Sequence, residues 1–335
     1  MKYRTLGSTG LKVSCVGFGG IPIQRITAEE SDRVVTHALD MGINFFDSAR
    51  GYTDSEEKLG RVLSRRREEA VIATKSMTKT KKDMWADIHR SLKALNVEYI
   101  DLYQLHNVRD RETMEIITGA SGAMEALVEA KNQGLIGHIG ITGHKKGFLL
   151  EAIQFSGIET VQFPFNAVET GGVPEILQAA VTEGVGTIIM KPLAGGSFNS
   201  PDLALKFILQ HPVSVIIPGM DSVEQVACNA EIASIAGPLS PEELEKIERE
   251  SQLLGSTFCR RCEYCMPCPQ GVKIPTAFLM EGYFSRYGLT EWSKQRYDSL
   301  EVRADLCIGC GECEKKCPYN LPIREMLPKA AAKLT

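Results

Sequence analysis

The sequence predicts a closed parallel (β/α)8 barrel, the TIM-barrel form of the α/β class, followed by a small cysteine-rich domain. Three observations lead there. Eight short β-rich runs alternate with longer stretches of helical periodicity between the N-terminus and about residue 235. The composition shifts near residue 255, after "GSTF". Beyond that point lie eight of the ten cysteines, all between Cys259 and Cys317.

The strand candidates, in order, are "VGFGG", "NFFDSA", "AVIATKS", "YIDLYQLH", "GHIGIT", "TVQFPF", "GTIIMKP" and "SVIIPG". Helical periodicity fills the gaps with "AEESDRVVTHALDMG", "DSEEKLGRVLSRR", "DMWADIHRSLKALN", "GAMEALVEAKNQG" and "PEILQAAVTEG", three of which close on a glycine at the expected C-terminal position. Eight strand-helix units fit a barrel wrapped in helices. A doubly wound open sheet has the same pattern, because periodicity does not report closure. "SPEELEKIERES" reads as one more exposed helix, with Ser240, Pro241 and Glu243 forming a capping box. It is expected to close the barrel, which places the domains at 1–254 and 255–335.

Composition narrows the function classes. Hydrophobic residues make up 43% and charged residues 24%, near the globular average, and the net charge of -4 gives no electrostatic footprint for nucleic acid. No stretch approaches the roughly 20 apolar residues of a membrane span, and the N-terminus lacks a signal-peptide core, so a cytoplasmic protein is expected. In a reducing compartment a dense cysteine cluster means metal rather than disulfides. Cys15 and Cys228 stand apart in apolar surroundings and read as small buried hydrophobes.

The first cysteine run is Cys259-x2-Cys262-x2-Cys265-x2-Cys268-Pro, and the second is Cys307-x2-Cys310-x2-Cys313-x3-Cys317-Pro. The second is the bacterial two-cluster pattern, in which three cysteines wrap one 4Fe-4S cube and the fourth completes the other. On that logic one cluster takes Cys259, Cys262, Cys265 and Cys317, and the other takes Cys268, Cys307, Cys310 and Cys313. The first run has two residues before its last cysteine where the second has three. A pair of all-thiolate zinc sites is the competing reading, although zinc ordinarily uses two separated CxxC pairs. Phe278, Tyr283, Phe284, Tyr287, Trp292 and Tyr297 lie between the runs and are read as packing around the clusters.

Chemistry in the first region gathers at the ends of the second, third and fourth strands, where barrel enzymes place their sites. "NFFDSARGY" carries Asp47 and Tyr52, "AVIATKS" carries Lys75, and "YIDLYQLH" carries His106. Neighbouring strands lie about 4.8 Å apart, so the four can share a pocket. Each alone has an ordinary structural reading, as cap, loop packing, surface charge or core histidine. His37, His89 and His211 are read as structural or solvated, His138 flanks the fifth strand, and His144 follows it toward the pocket mouth.

Over roughly residues 1 to 235 the chain resembles the aldo-keto reductase family, joined to a two-cluster ferredoxin-like tail. The resemblance is carried by "LGSTGLKVSCVGFGG", "FFDSARGY", "ATK", "DLYQLH", "GHIGIT", "VQFPFN", "KPLAGG" and "IPGMDSVEQVACN". It implies an oxidoreductase that moves a hydride to or from a small carbonyl or alcohol, with Asp47, Tyr52, Lys75 and His106 matching the family's catalytic residues. An unperturbed tyrosine, with a pKa near about 10, gives up its proton slowly at neutral pH. Lys75 would lower that pKa, Asp47 would hold the ammonium, and His106 would orient the carbonyl.

The resemblance also implies NAD(P)H, with phosphates at the loops after the seventh and eighth strands. Leu193, Gly195 and Gly196 lie in "PLAGGS", and Gly219, Ser222, Gln225 and Asn229 in "GMDSVEQVACN". Thr142, Gln162 and Asn166 fall where the nicotinamide end would sit. NADP-selective members carry basic residues where this chain has Gly219 and Gln225, Thr142-Gly143 replaces a Ser-Asn pair, and Met190, beside Lys191, replaces a stacking aromatic. Iron-sulfur clusters pass single electrons and nicotinamide passes pairs, a mismatch that a flavin bridges. FMN is therefore the alternative cofactor, with Lys191 able to stabilise its reduced form. The expected partner is a ferredoxin or another electron-transfer protein. Structural or redox-sensing clusters, and an electron-transfer or scaffold protein without barrel chemistry, remain as alternatives.

Overall fold

The computed structural model describes residues 1–235, 237–261 and 263–335. The chain forms two compact units. The first comprises Met1–Asn166, Thr170–Pro192 and Asp202–Leu239, and the second Ala167–Glu169, Leu193–Pro201 and Ser240–Thr335.

The first unit opens with an antiparallel hairpin of β1 (Tyr3–Thr5) and β2 (Lys12–Ser14). Then come β3 (Phe18–Gly19), α1 (Ala28–Asp40), β4 (Phe45–Asp47), α2 (Ser55–Leu63), β5 (Val71–Ser76), α3 (Lys81–Leu95) and β6 (Ile100–Leu105). A pair of helices, α4 (Arg111–Thr118) and α5 (Ala123–Asn132), precedes β7 (Ile136–Thr142). The remaining units are α6 (Lys146–Ala152), β8 (Thr160–Pro164), α7 (Val173–Glu183), β9 (Gly186–Met190), α8 (Pro201–Leu209), β10 (Val215–Ile217) and α9 (Val223–Ile235). Seven of the eight runs singled out in the sequence contain one of these strands, and "GHIGIT" lies within β7.

These eight strands hydrogen-bond in chain order, all parallel. The open-sheet alternative ends at the seam between the first and last of them. Gly17 N–H donates to Ile216 O at 2.8 Å and Gly19 N–H to Pro218 O at 2.9 Å, with parallel bridges Val16–Ile216 and Gly19–Gly219. A Cβ on Gly19 would lie 2.9 Å from the carbonyl oxygens of Ile217 and Pro218, so the seam closes because no side chain stands there.

Strand alternation lays out the barrel interior. Phe45, Val71, Ala73, Leu102, Ile188, Val215 and Ile217 form one apolar cluster, joined by Leu6 and Val13 from the hairpin. Further along the same parity come Asp47, Lys75 and Gln104, so apolar filling gives way to polar side chains toward the strand ends. Side-chain caps and a terminal glycine bound the helices. Thr27 and Glu30 form a capping box on α1, Thr80 accepts from Asp83 N on α3, and Gly184 ends α7 with φ +69°.

In the second unit, α10 (Pro241–Gly255) begins with the expected Ser240–Glu243 capping box. It groups with α11 (Ile274–Ser285), α12 (Thr290–Asp298), α13 (Glu312–Lys315) and α14 (Ile323–Leu334). Their core includes Val272, Phe278, Leu321, Ile323, Leu327 and fully buried Tyr297, whose hydroxyl accepts from Ala304 N at 2.9 Å. No helix among the described residues is long and apolar enough to cross a membrane. Cys15 is buried as expected, but Cys228 is exposed. It sits off the α9 face defined by Val226, Asn229, Ala230 and Ala233, and apolar sequence neighbours do not reveal which side of a helix is covered.

The hairpin tip packs against β9 with no room to spare: a Cβ on Gly186 would stand 2.8 Å from Leu6. Gly186→Ala is expected to destabilise the first unit by about 1–3 kcal/mol, the usual cost of overpacking. Circular-dichroism melts of the two proteins check this, and an unchanged transition would show that the hairpin tip yields.

Candidate active site

Asp47 ends β4 and Lys75 lies one residue before the end of β5, both turned inward. They are 3% and 1% exposed. Lys75 Nζ donates to Asp47 Oδ2 at 2.5 Å and to Ser48 O at 2.7 Å. On the other side Gln104 Nε2 donates to Asp47 Oδ1 at 3.3 Å, placed there by the β5–β6 register that sets Gln104 beside Lys75. Gln162 of β8 also hydrogen-bonds Asp47. Burial pushes the Asp47 carboxyl up and the Lys75 ammonium down, and their mutual contact opposes both shifts.

Tyr52 reaches this pair from the turn after β4. Lys75 Nζ lies 5.0 Å from the centre of its ring, and His106 meets the same ring edge-on with centroids 6.0 Å apart. Burial, with the charges of Lys75 and Lys191 nearby, lowers the His106 pKa to about 3. The imidazole is therefore neutral near pH 7, and its buried Nδ1 has no protein partner. A neutral ring can donate one N–H to a carbonyl oxygen without competing for the proton. The four residues named from the sequence thus form one constellation. His144, also named, is half-buried near the end of β7.

The other named residues separate into groups. Thr142 pairs with Gln162 across β7 and β8, and its hydroxyl accepts from Asn107 N at 2.8 Å, holding the backbone after His106. Gln162 Oε1 is buried without a partner, and Asn166 Nδ2 donates to Lys191 O at 3.1 Å. Lys191 itself has φ +56°. After β10, Gly219 bridges Gly19, and Gln225 Oε1 accepts from Asp221 N at 2.9 Å while Gln225 N donates to Ser222 Oγ at 3.3 Å. Part of that helix start is thus satisfied by its own side chains. Asp221 also pairs with Arg25, and Asn229 is buried on α9. Leu193, Gly195 and Gly196 belong to the second unit, where Leu193 O accepts from Gly196 N at 2.9 Å and Arg286 Nε donates to Gly195 O at 3.2 Å.

Of the eight expected metal ligands, Cys262 lies outside the described residues. Cys265, Cys313 and Cys317 are buried in the second unit's apolar core, Cys259, Cys268 and Cys307 pack against it, and Cys310 is exposed. Gly309 N–H donates to Cys307 Sγ at 3.4 Å, the kind of donor that stabilises a charged thiolate ligand. No group of three or more His, Cys, Asp or Glu side chains among the described residues is set to hold a metal ion as it stands. The donor chemistry, soft thiolates in an apolar shell, fits iron-sulfur ligation.

Sequence reasoning missed Gln104 and the hairpin plug. Parity could have found Gln104, two residues beyond inward Leu102 and opposite Lys75.

The description of the aldo/keto reductase family matches residues 15–201, more than half of the chain. The chain belongs to the aldo/keto reductase family. Residues 258–322 match the 4Fe-4S dicluster domain, so this family member carries an iron-sulfur domain C-terminal to its reductase region in the chain. L-galactose dehydrogenase of Arabidopsis thaliana is 29% identical over 68% of this chain and 87% of its own length. A 6-dehydroglucose reductase of Novosphingobium aromaticivorans is 28% identical over 60% of this chain and 72% of its own. Among solved structures, the holo form of an aldo-keto reductase of Bacillus halodurans superposes with a TM-score of 0.63 at 26% identity, covering 76% of this chain and 96% of that one. The protein is an oxidoreductase of this family.

The depressed His106 pKa has a consequence for stability. Unfolding returns the ring to its ordinary value near 6.5, so between pH 6.5 and about 3 the unfolded chain binds the extra proton and stability falls as pH falls. His106→Gln is expected to flatten that part of the profile between pH 6.5 and about 5, measured by urea unfolding. An unchanged slope would mean that the ring is protonated in the fold.

Proposed function

We propose that this reductase interconverts a small carbonyl compound and its alcohol at the Tyr52 site, with its cysteine-rich domain exchanging electrons with a ferredoxin or another electron-transfer protein. The observation that carries the reading is the contact of Lys75 with both Asp47 and the Tyr52 ring, with His106 at the ring's edge. A nicotinamide dinucleotide, when bound, supplies or accepts the hydride. The unpartnered, buried Gln162 Oε1, across the β7–β8 pairing from Thr142, suits an amide donor from such a group. Gly219, Ser222, Gln225 and Asn229 would meet its phosphates.

The chain's own residues handle the proton. As a carbonyl oxygen gains negative charge it takes the Tyr52 phenolic proton, and the phenolate left behind is stabilised by Lys75. Asp47 keeps the ammonium in place, and neutral His106 donates its N–H to the same oxygen, fixing the carbonyl's orientation. In the oxidative direction the Tyr52 phenolate takes the alcohol proton. The eight cysteines, as two groups of four, would hold clusters that supply single-electron transfer.

Tyr52→Phe removes the proton donor and keeps the ring. Turnover of the best substrate from a carbonyl panel is expected to fall by about 10²–10⁴, with the substrate's KM little changed. Turnover equal to that of the unaltered protein would remove Tyr52 from the reaction. Anaerobic purification with iron, sulfide and released-cofactor analysis tests the second half. About eight irons per chain are expected for two four-iron clusters. Released dinucleotide supports the nicotinamide reading, released FMN replaces it, and zinc without sulfide overturns the electron-transfer role.

A further inference from the structure

Behind the site, on the outer face of β5, lies a set of buried polar groups that the proposed chemistry does not use. The alternation that turns Lys75 inward turns Thr74 outward, toward α2 and α3. There Thr74 Oγ1 donates to Glu56 Oε1 at 2.6 Å, and Ser91 Oγ donates to the same oxygen at 2.8 Å. Glu56 is 2% exposed. Its other oxygen pairs with the Arg50 guanidinium, and Arg50 N–H donates to Lys75 O at 3.0 Å.

A carboxylate buried in this way is tolerated because its charge is matched and its lone pairs are filled. The two ends of the ion pair flank Tyr52 in the chain. Between them the backbone folds on itself, with Tyr52 N donating to Ala49 O at 3.0 Å and Ser55 N to Tyr52 O at 2.8 Å. Ser48 Oγ donates to Ser55 Oγ at 2.9 Å across the base of the turn. Arg50 anchors the rising limb of this turn to β5, and Glu56 anchors the falling limb to Thr74 of the same strand. Lys75 is the next residue along that strand.

We propose that Glu56 is a positioning residue, which through Arg50 and Thr74 clamps the 48–55 turn to β5 and so fixes Tyr52 beside Lys75. The inference rests on Tyr52 as the proton donor proposed above. An acid that merely packed α2 against the sheet would not need a partner in the Tyr52 turn.

The test compares the full-length protein, prepared anaerobically, with Glu56→Gln, Arg50→Gln and the double variant. Hydrogen-exchange mass spectrometry reads amides 49–55 directly, without reference to activity. Their exchange is expected to quicken by about tenfold or more in each single variant, with no further gain in the double variant and no change in β6. Steady-state turnover is expected to fall by about tenfold in kcat, with KM held within about threefold. Unaltered exchange in the turn overturns the proposal, and so does quickened exchange with unaltered kcat. Should Glu56→Gln fail to fold, Arg50→Gln carries the test, because that side chain is 27% exposed. Should Tyr52→Phe prove fully active, the proton-donor reading falls on its own, and exchange in the turn still decides whether Glu56 holds it.

Discussion

The buried contact between Lys75 and Asp47 is the constraint on which the rest of this site depends. Two opposite charges taken out of water cost several kcal/mol each and are retained only where geometry and further hydrogen bonds compensate. The barrel meets that condition by register. Parallel pairing of β4, β5 and β6 sets Asp47, Lys75 and Gln104 on adjacent strands, and the Ser48 carbonyl takes another of the ammonium's protons. A slip of one residue in any of these strands would turn its polar residue out of the barrel and leave the charge pair unmatched. The ion pair therefore selects the register as firmly as the register selects the ion pair.

The same alternation explains why the interior changes character along its axis. Leu6 and Val13 plug one end, Phe45, Val71 and Leu102 fill the middle, and the polar residues crowd the other end. The apolar plug keeps the local dielectric low beneath the polar end, which strengthens every charge contact there. The neutral state of His106 follows from that setting, since two ammonium groups and poor solvation all disfavour a third positive charge.

Much of this was legible in the sequence, for identifiable reasons. Strands rich in Val, Ile, Phe and Tyr between helices of clear periodicity marked all eight barrel strands, and the grouping of Asp47, Tyr52, Lys75 and His106 was legible because each stands at a strand end or in the turn after it. The closed barrel was the expected form, but strand-helix alternation alone left the open sheet possible, because closure rests on Gly17 and Gly19 meeting the residues around Ile216 and Pro218 across the whole chain. The hairpin was missed because three-residue strands offer no alternation to count. Gln104 was passed over as one more polar residue in an apolar run, although its parity announces where it points. Glu56 looks in the sequence like an acid in the first turn of a helix, and nothing local says that it is buried against Thr74 and Ser91. Nor do the residues "PLAGGS" reveal that Leu193–Pro201 would pack as part of the second unit.

That last loop bears on how the protein can be taken apart. Gly195 gives its carbonyl to Arg286, the backbone N–H of Asn199 donates to Glu250, and Phe198 and Ser200 are buried. Chain order and structural allegiance thus disagree: a stretch encoded within the reductase region is folded with the iron-sulfur region. A truncation that ended the chain before Ser240 would remove the residues that shape this stretch and leave it to find another conformation, so the shortened protein would be a different object from the reductase it was meant to isolate.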